Sequence, residues 1–275
     1  MSIRDEFIQM VDYLDTNFSI PQITEVFLPP FSPGGQPRDA QFMAFFLEGT
    51  AVGISYILVP DQNMASYQAL QPEDFVGQEP MEFALQFGSQ DPVKNMISMA
   101  AVNAICQHVI KETNFHLDTV TDPLGLLSPK KGDIIGMVGL FSGLIKRIKK
   151  AGAELVIIEK KQELIEKYHA LPVTNDVTRL ADCNKVFCTG TTVLNNTLDE
   201  VLSHISPAAL VSVVGPTAGY FPDPMFARGV DILGGRLIED SGEFHQRLRQ
   251  RKPWTGTTQK ICFQKKDYRT MIHPG

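Results

Sequence analysis

Asp133-Ile134-Ile135-Gly136-Met137-Val138-Gly139-Leu140-Phe141-Ser142-Gly143 is the stretch that decides the fold. Ile134–Val138 is a short apolar run that ends in glycine, and Ser142 to Ala151 then follows helical periodicity up to Gly152. Lys146, Arg147, Lys149 and Lys150 fall in the last turns, where cations suit the helix dipole, and Gly152 suits the cap beyond. A strand running through glycines into an amphipathic helix is the first half of a βαβ unit. The pattern recurs downstream. Leu155–Ile158, Val186–Thr189, Leu210–Val214 and Val230–Leu233 are further apolar strand candidates, most of them separated by amphipathic helices. Thr197-Leu198-Asp199-Glu200 reads as a capping box opening one of these helices. Continuous apolar strands alternating with helices specify a parallel, doubly wound sheet.

Upstream the rhythm changes. Ile3, Phe7, Met10, Val11 and Leu14 share one helical face, which predicts an amphipathic helix over 3–14. Ile23 to Leu28 reads as a strand stopped by Pro29-Pro30, and Phe31-Ser32-Pro33-Gly34-Gly35 as a loop. Phe42–Glu48 and Val52–Val59 flank Gly49-Thr50-Ala51 as a hairpin. Asp91 caps a helix with Pro92 in its first turn, continuing through Ala100, Ala101, Asn103 and Ala104 to about Thr113. The expectation is an α/β chain: an α+β domain over 1–120, the parallel-sheet domain over 121–255, and a C-terminal extension over 256–275.

Charge supports a change of character near residue 120. Residues 1–120 carry 4 Lys+Arg against 15 Asp+Glu, whereas 121–275 carry 21 against 16. The basic second half suits an anionic ligand, and it suits docking on the acidic first half equally well. With 43% apolar and 20% charged residues the chain is an ordinary globular one, not a disordered or collagenous one. The net charge of −6, without aromatic residues interleaved among the basic ones, argues against nucleic acid as a partner. The acidic start Met1-Ser2-Ile3-Arg4-Asp5-Glu6 is unlike a signal peptide, and the run 134–145 is too short to span a bilayer; a cytoplasmic protein with no membrane partner is expected. Cys106, Cys183, Cys188 and Cys262 form no Cys-x-x-Cys pair, and the six histidines show no ligand spacing, so no metal site is expected.

In a doubly wound sheet, ligands bind beyond the carboxyl ends of the strands. There the sequence places Gly139 and Phe141, then Glu159, then Thr189-Gly190-Thr191-Thr192 with Asn195, then Gly215-Pro216-Thr217. Small and hydroxyl-bearing residues leave backbone N–H groups open to phosphate or carboxylate. Glu159 lies twenty residues after Gly139, a spacing at which a carboxylate can accept from ribose hydroxyls; a solvated strand end beside Lys160 and Lys161 is the plainer reading. The dinucleotide fingerprint itself fails, because Val138 and Phe141 stand where glycines are needed. Nor is there a phosphate-binding Gly-x-x-x-x-Gly-Lys loop or a Gly-x-Ser-x-Gly nucleophile elbow. Asn103, an amide on an otherwise small and apolar helix, either caps neighbouring backbone or faces the cleft between the domains.

Over about residues 5–240 the chain resembles a family of unknown function labelled for heavy-metal chelation. The likeness is carried by Gly49-x-x-x-Gly53, Ala101-Val102-Asn103-Ala104, Asp133 to Phe141, Glu159, Leu171-Pro172 and Asp182. It continues through Thr189-Gly190-Thr191-Thr192 with Asn195 and Thr197, Gly215-Pro216-Thr217, Gly229 and Gly234. The resemblance implies an enolase N-terminal-like module followed by a Rossmann-like domain, with the site between them. It also implies a link to siderophore, pterin, flavin or corrinoid metabolism. The function expected is an enzyme that binds a small anionic or nucleotide-like ligand in that cleft. Glu159 would be its catalytic carboxylate. The ligand-binding set would be Asn103, Gly139, Phe141, Thr189, Gly190, Thr191, Thr192, Asn195, Gly215, Pro216 and Thr217. The alternatives are a non-catalytic binder of a metal chelate and an S-adenosylmethionine-dependent methyltransferase. The sequence names no cofactor; its partners would be a small molecule, a metal chelate among the candidates, and a second copy of the chain in a homodimer.

Overall fold

The computed structural model describes residues 1–30, 41–270 and 272. The loop expected at 31–35 lies outside the described residues. Helix α1 (Ile3–Asn17) opens with a capping box, Ser2 Oγ accepting from the Asp5 N–H while Asp5 accepts from the Ser2 N–H. It buries Phe7, Met10, Val11 and Leu14. Strands β1 (Ile23–Phe27), β2 (Phe42–Leu47) and β3 (Val52–Tyr56) form an antiparallel sheet in that order. Short helices α2 (Met64–Gln68) and α3 (Pro80–Ala84) lead to α4 (Pro92–Glu112), whose start is fixed by Asp91 accepting from the Val93 N–H at 2.9 Å.

Every residue of β2 is buried, because both faces of the small sheet are covered. Met43, Phe45 and Leu47 pack into the cluster that holds α1 and α4. Phe42, Ala44 and Phe46 pack with Val52, Ile54, Phe244, Leu248 and Trp254 on the opposite side. Gly53 lets α4 settle onto β3. A Cβ there would stand 2.0 Å from the Ala100 carbonyl oxygen and 2.2 Å from the Ala104 nitrogen.

Helix α5 (Pro123–Leu126) precedes a seven-stranded sheet, built from β4 (Ile134–Val138), β5 (Glu154–Ile158), β6 (Val173–Thr174), β7 (Lys185–Thr189), β8 (Leu210–Val214), β9 (Ile232–Ile238) and β10 (Thr258–Gln264). Its order is β10-β9-β8-β7-β4-β5-β6, with every pair parallel except β9 and β10. The connections carry α6 (Ser142–Ala151), α7 (Gln162–Lys167), α8 (Thr191–Leu194), α9 (Leu198–Ser203), α10 (Asp223–Phe226) and α11 (Ser241–Arg249). Side chains alternate between two apolar layers, as a pleated strand requires. Ile135, Met137, Ile157 and Phe187 pack against Leu144, Ile145 and Ile148 of α6. Val138, Ile158, Val186, Cys188, Val211 and Val213 belong to the large cluster on the other face, together with α1 and α4. Gly152 ends α6 in the left-handed region at φ +70°, where a side chain would be strained.

Two readings of the sequence need correction. Helix α9 does begin after Thr197, but no side chain caps it; the Thr197 hydroxyl donates to Asn195 Oδ1 at 2.6 Å instead. The strand expected to end at Leu233 runs on to Ile238. Gly234 and Gly235 lie inside this strand, at places where other backbone and side chains approach. A Cβ on Gly235 would lie 1.7 Å from the Ala218 carbonyl oxygen, and one on Gly234 would lie 2.6 Å from Pro123. The segment after 255, without an element in the sequence reading, supplies the edge strand β10.

At the opposite edge of the sheet from the ligand-facing loops, Asp133 accepts from Lys185 Nζ at 2.7 Å, Asn184 Nδ2 at 2.9 Å and the Lys130 N–H at 2.8 Å. Burial pushes its carboxyl upward, but these donors outweigh burial and hold it below its ordinary 3.8. A depressed folded-state value stabilises above the unfolded value and loses that stability as pH falls through the folded one. Urea midpoints of the wild type and Asp133→Asn should therefore differ most near neutrality, begin to approach one another as pH falls below about 4, and converge only once it has passed through the lower folded-state value. A gap independent of pH would assign the effect to hydrogen-bond geometry alone.

Candidate functional site

The carboxyl ends of β4, β5, β7 and β8 open into a cavity of about 690 Å³. This lies within the size range of small-molecule sites. At its floor the start of each of three loops is hydrogen-bonded to the neighbouring strand. The Gly139 N–H donates to the Ile158 carbonyl at 2.9 Å, the Gly190 N–H to Val214 at 3.0 Å, and the Gly215 N–H to Gly234 at 3.0 Å. Gly139 sits at φ +85°, and a Cβ on it would meet the Thr189 methyl at 3.0 Å, so the loop needs glycine there. The hydroxyls of Thr189 and Thr191 share a hydrogen bond at 3.1 Å, and Thr192 Oγ1 donates back to the Thr189 carbonyl at 2.8 Å.

The small sheet forms another wall. Tyr56, Phe42, Gln41 and Leu58 line the cavity, the Tyr56 hydroxyl donates to Gln41 Oε1 at 2.8 Å, and the Tyr56 N–H donates to Thr217 Oγ1 at 3.3 Å. Phe141 stands edge-on to Phe187, with ring centroids 4.5 Å apart. Glu159 reaches the cavity with one oxygen committed: Oε1 accepts from the Lys160 N–H at 2.9 Å and the Lys161 N–H at 3.1 Å. Among the described residues Oε2 accepts no hydrogen bond, which leaves an acceptor for a ligand hydroxyl.

Eleven of the residues singled out from sequence line this one space: Gly139, Phe141, Glu159, Thr189, Gly190, Thr191, Thr192, Asn195, Gly215, Pro216 and Thr217. Asn103 does not. It is fully buried behind the wall, and its Nδ2 donates to the Ile54 carbonyl on the small sheet and to the Thr217 carbonyl, both at 2.7 Å. It positions the Thr217 loop rather than touching the cavity. Gln107, one turn along α4, does the same at β9, donating to the Arg236 carbonyl at 3.1 Å and accepting from the Ile238 N–H at 3.1 Å.

Sequence reasoning missed Gln41, Phe42, Tyr56, Lys160, Lys161, Tyr168, Arg236 and Lys260 as wall residues. Arg236 was hidden by ending β9 at Leu233. The aromatic wall was hidden because nothing in the hairpin pattern says which strand meets the large sheet.

The donor set does not suit a bare metal ion. Among the described residues no three His, Cys, Asp or Glu side chains gather at ligand distance, and no His or Cys lines the cavity. All four cysteines are buried. Burial pushes the thiols of Cys106, Cys188 and Cys262 up to about 12 and that of Cys183 to about 11, which disfavours the thiolate a soft metal needs. Among the described residues no helix is long and apolar enough to cross a membrane.

Comparison with known proteins places these features. Residues 122–264 match the family described as "Putative heavy-metal chelation". An uncharacterized protein of Methanocaldococcus jannaschii is 28% identical over 162 residues, a match spanning 58% of this chain and 60% of that protein. Two crystal structures of proteins of unknown function from the family share the fold. One, from Pyrococcus horikoshii, is 16% identical, with a TM-score of 0.68 over 94% of this chain and 98% of the other. The second, from Desulfitobacterium hafniense, is 18% identical, with a TM-score of 0.69 over 94% of this chain and 99% of the other.

Proposed function

The chain belongs to the family described as "Putative heavy-metal chelation", and from that premise we propose that its cleft binds a small anionic or nucleotide-like molecule used in making or modifying a metal-chelating cofactor. The observation that carries the reading is the convergence of four strand-end loops, rich in glycine and threonine, on one cavity of ligand size. On this reading the hydroxyls of Thr191 and Thr217 orient the anionic group, and the apolar wall of Tyr56, Leu58 and Phe141 takes the body of the molecule. Glu159 accepts from a ligand hydroxyl through Oε2 or removes its proton as general base. Freshly purified protein examined by native mass spectrometry identifies what the cleft retains; a protein that releases no small molecule and binds none of the anionic metabolites offered to it would sink the reading.

With that molecule in hand, Glu159→Gln keeps the shape and removes the charge. A charge-assisted hydrogen bond contributes about 1.5–3 kcal/mol, so affinity should fall roughly 10–150-fold. Thermal stability should barely move, because Gln keeps an oxygen that can accept from the Lys160 and Lys161 N–H groups of the same exposed turn. Equal ligand-induced melting shifts in both proteins would reduce Glu159 to a solvated turn residue.

The metal belongs to the ligand in this reading, not to the chain. Elemental analysis of protein freed of small molecules should find well under one transition-metal ion per chain. One tightly held zinc per chain would overturn this. A second reading, a carrier for a finished chelate with no chemistry of its own, is favoured by the absence of His and Cys from the cavity wall among the described residues. Chemical change of the retained molecule during incubation with the protein would exclude it.

A further inference from the structure

Three adjacent strands of the large sheet end side by side at one end of the cleft. Val138 of β4 is the register partner of Ile158 of β5, and Ile158 is that of Thr174 of β6. Gly139, Glu159 and Asn175 are therefore the first residues beyond the sheet on three neighbouring strands. Backbone bonds keep them there: the Gly139 N–H donates to the Ile158 carbonyl and the Glu159 N–H to the Thr174 carbonyl, both at 2.9 Å. Glu159 stands in the middle with a loop on either side. Its Oε1 is spent on its own turn, and among the described residues Oε2 accepts no hydrogen bond. The neighbouring Lys160 pairs with Glu200 at 3.4 Å instead.

Around this carboxylate the cavity wall is apolar. Leu140 comes from the loop after β4, Leu164 and Tyr168 from α7 and its end, and Val177 from the segment after β6. All four are half-buried, so apolar surface is left for a guest to cover. Asn175, exposed at the same end, offers an amide that can donate and accept at once. The Thr189 and Thr191 hydroxyls follow β7, two strands away from β5. At about 4.8 Å per strand that is roughly 10 Å along the sheet edge.

This end of the cleft therefore combines an apolar slot, an open acceptor beside it and anion-binding loops farther along. Adenine pairs with an amide through one donor and one acceptor. A ribose presents adjacent hydroxyls to a strand-end carboxylate, as dinucleotide-binding sheets do at the corresponding strand. We propose that this end is an adenosine subsite. The base lies between Leu140 and Val177 with its edge on Asn175, and the ribose hydroxyls donate to Glu159 Oε2. The 5′-substituent runs over the threonine loops towards Tyr56 and Leu58. This rests on the cleft being the ligand site, and goes further by fixing the class of ligand, its orientation and the residues that read it.

Titration calorimetry with adenosine 5′-monophosphate, its 2′-deoxy analogue and ribose 5-phosphate tests the contacts separately. Inorganic pyrophosphate probes the threonine loops alone. The wild type should bind adenosine monophosphate at least about ten-fold more tightly than the deoxy analogue, which lacks one charge-assisted hydrogen bond. Glu159→Gln should shrink that gap several-fold, because a neutral amide oxygen accepts more weakly. A purely structural role for Glu159 would weaken both nucleotides alike and keep the gap. Val177→Ser should weaken adenosine monophosphate about three- to ten-fold through lost apolar contact and leave ribose 5-phosphate unchanged. Equal wild-type affinities for the two nucleotides, a gap that survives Glu159→Gln, or a Val177→Ser protein that treats nucleotide and sugar phosphate alike would overturn the subsite. If adenosine monophosphate fails to bind while pyrophosphate binds, the subsite falls and the reading of the cleft stands without it. If neither binds, both fall together.

Discussion

Gly53→Ala should leave little or no folded protein. The added methyl carbon would lie 2.0 Å from the Ala100 oxygen and 2.2 Å from the Ala104 nitrogen. Both are backbone atoms of α4 and cannot turn aside as a side-chain end can. The helix would have to lift off β3, opening the cluster that joins α1, α4 and both sheets. Overpacking typically costs about 1–3 kcal/mol, and a clash with fixed backbone belongs at or above the upper end of that range. Against a total stability of about 5–15 kcal/mol, soluble yield and melting temperature should both fall steeply. A Gly53→Ala protein melting within about 2 °C of the wild type would show that the helix and sheet are not held together as described.

The second large effect is expected at Asn103. Its amide spends both hydrogens on carbonyls 114 and 49 residues away in the chain, those of Thr217 and Ile54. Asn103→Ala leaves two buried carbonyl groups without donors, at about 1–3 kcal/mol each, a loss of roughly 2–6 kcal/mol in all. Asn103→Asp, nearly the same shape, should be worse, because it presents a carboxylate to the same two oxygens. Binding in the cleft should weaken along with stability, because the Thr217 loop loses its anchor while its Oγ1 still accepts from Tyr56. Chemical denaturation of the three proteins orders them. If Asp is tolerated as well as Asn, the amide hydrogens are not the anchor.

Much of this architecture was legible in the sequence because local pattern and tertiary demand agree. Ile134–Val138 and Leu210–Val214 are buried on both faces of a parallel sheet, so their apolar runs mark the strands to the residue. Asp91-Pro92 and Gly152 are punctuation that acts within one turn. The loops at the strand ends could be located because topology, not residue identity, puts ligands there. What could not be read depends on partners distant in sequence. Gly234 and Gly235 make sense inside a strand only once Pro123 and Ala218 are known to occupy the space a side chain would need. Asn103 carried the right signal, a buried amide needing acceptors, but whether those acceptors belong to a ligand or to two backbone segments is a matter of distance alone.

The second layer over the small sheet also bears on how the protein is made. Phe42 meets Trp254, ring centroids 5.4 Å apart, yet the two are separated by most of the chain. At about 5–20 residues per second, a ribosome that has released the hairpin needs on the order of 10–40 s more to deliver its cover. Throughout that interval Phe42, Ala44, Phe46, Val52 and Ile54 form an uncovered apolar face on a nascent chain. The amino-terminal sheet is therefore born first and finished last, and during synthesis this face is where a chaperone has most to protect.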